Sequence, residues 1–284
     1  MKLARRRCLL ALGAIPAVGM RPALAAPVRR TVSVGGAVTE IVHALGAGDT
    51  LVGADSTSTY PPSAALLPRV GYMRQLSAEG VLALRPELVL ATAEAGPPAV
   101  FAQLETAGVK VLRLAVRHTP EALRDNIRRI GEALQQPEAG LRVLADVDAR
   151  WARTRTRIGA MRTHPRVLFL LAHGGGPPIV AGSDTAADAM ITLAGGVNAA
   201  RPMAGYKPLT AEAAIAAAPE VLLITDQGLE QSGGLARLAS HPGLALTPAG
   251  RARRVVAMDA LYLLGFGPRL PEAVAELSER IARP

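Results

Sequence analysis

The stretch most able to do chemistry runs Gly71-Tyr72-Met73-Arg74-Gln75-Leu76-Ser77-Ala78-Glu79. A phenol lies two residues from a guanidinium, directly after a glycine and just before a helix-capping serine. If the segment is extended, Tyr72 and Arg74 share one side of the backbone. A neighbouring cation then favours the phenolate. A phenolate is a hard oxygen donor suited to ferric iron, and tyrosine is among the axial ligands of haem iron. The plainer reading is a loop tyrosine packed on an arginine stem.

Other candidates are sparser. The five histidines, His43, His118, His164, His173 and His241, are scattered without metal-binding spacing. His173 follows a predicted strand and precedes Gly174-Gly175-Gly176. It either reaches a ligand as a neutral imidazole or caps its own strand. Tyr206-Lys207 repeats the glycine–tyrosine pair later in the chain, where it either lines a cleft and offers an ammonium to a ligand carboxylate or forms an exposed turn. Glu79 and Glu212 each sit one turn into a predicted helix, where a carboxylate suits the helix dipole or could meet a basic partner. Tyr60, flanked by Pro61, reads as a packing residue. The glycines lack the spacing of a phosphate-binding loop, and Gly182-Ser183 lacks the nucleophile-elbow pattern.

Composition narrows the class. The chain has 284 residues, half of them hydrophobic, with only 3% aromatics, which argues against a stacking platform for nucleic acid. Of the 32 basic residues five lie in residues 1–25, which contain no acid. The remainder carries 27 basic against 23 acidic side chains, a mild excess of about +4. Residues 1–25 read as an export signal. Lys2 and Arg5 to Arg7 precede an apolar run, and Ala23-Leu24-Ala25 supplies small residues for cleavage. Arg5-Arg6 is a partial match to the twin-arginine route. The single cysteine, Cys8, falls inside this leader, so the mature chain has no disulfide. No later run is long and apolar enough to span a bilayer.

The elements that must position these residues alternate. Strands are predicted at 31–34, 51–54, 88–91, 109–116 and 166–172, with helices between them, a pattern that implies parallel βαβ units. Residues 137–161 form a charge-laced helix suited to bridging two domains. Leu76-Ser77-Ala78-Glu79 and Arg85-Pro86-Glu87-Leu88 recur as Leu209-Thr210-Ala211-Glu212 and Ala218-Pro219-Glu220-Val221, always 133 residues later. Gly71-Tyr72 returns as Gly205-Tyr206 at 134. The expected architecture is α/β: two similar lobes with parallel-type sheets flanked by helices, joined by a long helix, with a ligand cleft between them. The lobes are expected at 26–136 and 164–284, with 137–163 as linker. In open parallel sheets ligands bind at the carboxyl ends of the strands, which places Tyr72 on the rim.

These residues together resemble the periplasmic haem-binding proteins of bacterial ABC-type haemin importers. That family belongs to the helix-linked class of binding proteins that also carries siderophores and vitamin B12. The resemblance covers nearly the whole mature chain, and the Gly-Tyr-x-Arg segment is its most specific part. It implies that Tyr72 binds ferric haem iron with support from Arg74. His173 is the positional match for a second-lobe ligand, and Glu79 and Glu212 match the glutamates that dock on the permease. Some members carry an arginine near Asp226-Gln227-Gly228, where this chain has Gln227, which leaves Arg74 or Lys207 to supply that charge. The resemblance implies a monomeric, non-catalytic, periplasmic receptor whose ligand is haem and whose partner is the transmembrane permease. A receptor for a ferric siderophore or corrinoid is the alternative within the class, and an enzyme or redox subunit on the same frame is the alternative outside it.

Overall fold

The computed structural model describes residues 30–171, 178–239 and 241–283. The export-signal reading and His173 fall outside these residues.

The first sheet orders its strands Leu51–Ala54, Thr31–Val34, Leu88–Thr92 and Lys110–Leu114, and every pairing is parallel. Helices cover both faces, so its central strands bury all their residues. Alternation divides them: Leu88 and Leu90 pack toward the linker helix, while Val89 and Ala91 pack with Val81, Phe101 and Leu104.

The second sheet runs Tyr206–Pro208, Ile179–Ala181, Arg166–Leu171, Val221–Thr225 and Val255–Met258, with Val197–Asn198 also paired to Arg166–Leu171. It is mixed, not purely parallel. Arg166–Leu171, Val221–Thr225 and Val255–Met258 are parallel, but Ile179–Ala181 and Tyr206–Pro208 add antiparallel pairings. The reason is chain length. Only residues 172–178 separate Arg166–Leu171 from Ile179–Ala181, too few for a parallel crossover of about a dozen residues.

The helix Pro137–Gly159 has 23 residues, roughly 35 Å at about 1.5 Å per residue. Its Val147 and Trp151 share one apolar cluster with Leu123 and Ile127 on one side and Leu270, Val274 and Leu277 on the other. Thr154 donates to the carbonyl of Pro271 at 3.1 Å, and Arg150 pairs with Glu272 at 2.9 Å. The C-terminal helix Leu270–Ala282 is thereby fixed along the linker.

The internal repeat is expressed in backbone detail. Ser77 accepts from the amide of Gly80 at 3.3 Å, and Thr210 accepts from that of Ala213 at 3.2 Å, so both helices start with the same hydroxyl cap. A left-handed residue then precedes proline in both, Arg85 at φ 45° shortly after the first helix and Ala218 at φ 42° as the cap of the second.

Candidate functional site

A cavity of about 570 Å³ lies between the two lobes, within the ~300–1,000 Å³ range of small-molecule sites. The first lobe contributes Tyr72, Met73, Arg74, Glu94, Arg117 and His118, and the second contributes Asp184, Tyr206, Gln227, Leu261 and Phe266. Many of these residues follow the carboxyl ends of strands.

Tyr72 and Arg74 sit on a small hairpin in which Gly71–Tyr72 pairs antiparallel with Gln75–Leu76. Gly71 takes φ +100°, a conformation that costs glycine little. The extended reading of residues 72–74 is therefore corrected: Met73 and Arg74 form the turn, not a strand. Both side chains nevertheless line the cavity, and Tyr72 keeps 43% of its surface exposed there. The hairpin is tied down by the amide of Ser56 to the carbonyl of Gly71 (2.8 Å), the amide of Gly96 to that of Met73 (2.9 Å), and the amide of Leu76 to that of Gly96 (2.9 Å).

Arg74 has a partner that the sequence did not announce. Its Nη2 donates to Glu94 Oε2 at 2.7 Å, and this hydrogen bond leads the influences that raise the guanidinium pKa. Tyr206 faces the same groups from the second lobe. Burial is the main cause that pushes its phenol up, the charge of Glu94 adds to it, and Arg74 pulls it down. Two phenols, one guanidinium and one carboxylate thus meet at the cleft. Gly205, at φ +68°, starts the strand of Tyr206 as Gly71 starts that of Tyr72.

Lys207 does not line the cavity. Along an extended strand it takes the side opposite Tyr206, and it is exposed. Gln227 does line it. Glu79 and Glu212 are exposed second residues of the helices Ala78–Leu82 and Ala211–Ala217, away from the cavity lining. Tyr60 lies outside the lining as well, its ring 3.6 Å from the guanidinium of Arg269.

Sequence reasoning also missed the cleft floor. His118 and Phe266, from different lobes, approach with ring centroids 5.1 Å apart at 49°. Burial lowers the pKa of His118, partly opposed by the charge of Glu94, so a neutral imidazole is favoured. Among the described residues no three His, Cys, Asp or Glu side chains converge to hold a metal ion. Among those residues, too, no helix is long and apolar enough to cross a membrane.

Comparison with known proteins agrees with this architecture. The structure superposes on the periplasmic heme-binding protein BhuT in complex with two hemes with a TM-score of 0.87 and 51% identity, covering 89% of this chain and 97% of that one. It matches the periplasmic heme-binding protein RhuT from Roseiflexus sp. RS-1, in apo form, with a TM-score of 0.87 and 46% identity, covering 90% and 98%. The vitamin B12-binding protein of Photorhabdus laumondii is 26% identical over 258 residues, 90% of this chain and 89% of that protein. The sequence profile described as Periplasmic binding protein matches residues 32–262, and the chain belongs to that family.

Proposed function

We propose that this protein is a periplasmic haem receptor that delivers its ligand to an ABC-type permease. The observation that carries the reading is Tyr72, presented to the interlobe cleft on a glycine-initiated hairpin with Arg74 beside it. A phenolate from this position supplies a hard oxygen to ferric iron, and the guanidinium stabilises its charge. Val38, Ile41, Leu261 and Leu264 offer apolar surface to a macrocycle, and Arg117 offers a cation to a ligand carboxylate. Tyr206 closes the opposite wall.

The similarity to heme-binding proteins at 51% and 46% identity supports haem over a corrinoid, for which the similarity is 26%. Within this reading residues 26–136 and 164–284 are the two lobes, 137–163 the connecting helix, and 1–25 the export signal. His173 is the candidate second ligand to the haem iron. The receptor acts as a monomer without catalysis, and Glu79 and Glu212 are its docking points on the two permease subunits.

The test is a ligand comparison on the purified mature chain. Ferric haem should bind with saturation and a new visible spectrum, and cyanocobalamin should not compete. Binding of the corrinoid in preference to haem would assign the chain to the other branch of the class.

A further inference from the structure

Glu94 is anchored more firmly than an exposed loop carboxylate requires. The strand Leu88–Thr92 ends just before it, and the amide of Glu94 donates to Thr92 Oγ1 at 3.4 Å. Arg113 donates to the carbonyls of Ala93 and Ala95 on either side, and its guanidinium lies 4.4 Å from the ring centroid of Phe101. Gly96 is joined in both directions to the hairpin that carries Tyr72 and Arg74. These contacts bring the carboxylate to 2.7 Å from Arg74, yet the two side chains are 42% and 58% exposed. An ion pair so open to water adds little to stability. Its position on the cleft wall is what gives it consequence.

We propose that Glu94 is a positioning residue that competes with bound haem for Arg74 and thereby sets how fast the ligand leaves. The inference rests on the functional reading above. In the free cleft Glu94 takes up one donor of the guanidinium, Nη2. Iron-bound Tyr72 and the propionates of haem are anionic and call on the same donors. By holding that guanidinium, the carboxylate withdraws part of Arg74's charge from them, so the cleft grips haem less tightly than its geometry permits. That suits a carrier which must surrender its cargo. Tyr206 supports the arrangement, because Glu94 and Arg74 act on its phenol from across the cleft with opposite signs.

The experiment follows haem transfer from the loaded full-length mature chain to excess apomyoglobin, with the visible spectrum recorded before mixing. Glu94→Gln should slow release by about fivefold and shift the band of the iron-bound phenolate. Glu94→Asp, which keeps the charge, should release close to the wild-type rate. In an Arg74→Ala background Glu94→Gln should change nothing. Equal or faster release from Glu94→Gln, or the same slowing without Arg74, overturns the proposal. A wild-type chain that takes up no haem overturns the functional reading itself, and that outcome is visible before any variant is compared.

Discussion

Glu40, on the helix Gly36–Ala44, accepts two hydrogen bonds from Arg269, at 2.9 Å from Nε and 2.7 Å from Nη2, across 229 residues of chain. The carboxylate side chain is only 4% exposed. Burial raises its pKa, and the guanidinium pulls it back. Arg269 is also flanked by Tyr60 at 3.6 Å and Tyr262 at 4.9 Å from its ring centroids. This contact locks the first helix of one lobe to the entry of the last helix of the other, behind the cleft.

A buried pair of this kind is costly to break on one side. Arg269→Ala leaves Glu40 without its counter-ion and should destabilise the chain by about 3–5 kcal/mol, whereas Glu40→Gln with Arg269→Met should cost far less. Urea unfolding of both variants checks this. A loss below ~1 kcal/mol for Arg269→Ala, the size of a surface pair, would show that water already screens the contact.

His118 makes stability depend on acidity. Its folded-state pKa lies below the ordinary 6.5, chiefly through burial. The unfolded chain therefore binds the proton first, and the contribution of neutral His118 is present above that ordinary value and lost as pH falls through the lowered one. The melting temperature of the unliganded wild type should fall more steeply on acidification than that of His118→Gln. Parallel melting curves across that window would remove His118 from the account.

Gly182 marks a crossing that leaves no space. A Cβ there would stand 1.8 Å from the carbonyl oxygen of Met203, and its amide donates to the carbonyl of Gly205 at 2.8 Å. Gly182→Ala should push the strand of Tyr206 outward, cost about 1–3 kcal/mol and weaken haem binding. Retention of both stability and affinity would mean that this crossing does not position Tyr206.

Glu79 and Glu212 lie outside the cleft lining, so their charges can be reversed without touching the ligand. Glu79→Lys with Glu212→Lys should leave haem titration unchanged and impair uptake through the permease. Normal uptake by the double variant would end the docking assignment.

The repeat at one offset was the most informative sequence feature, because each copy carries its own local instructions. A hydroxyl cap, an early acid and a proline stop are chemical signals confined to a dozen residues, and Ser77 and Thr210 act as their types dictate. The cleft network was less legible. Glu94 is one acid in a loop, and it reaches Arg74 only because Arg113 and Gly96 arrange the backbone around it. His118 meets Phe266, and Glu40 meets Arg269, only after the lobes pack along the linker helix. The antiparallel edge of the second sheet was readable in principle from the shortness of 172–178, but strand propensity says nothing about direction. For Tyr72 and Arg74 the assumption of period-two alternation failed locally, since a two-residue turn separates the hairpin strands.

The most direct measurement is a ferric haem titration of wild type and Tyr72→Ala, followed in the visible spectrum. Wild type should saturate with a phenolate-to-iron band, and the variant should lose that band and bind far more weakly. An unchanged spectrum with unchanged affinity in Tyr72→Ala would contradict the assignment of this phenol to the iron.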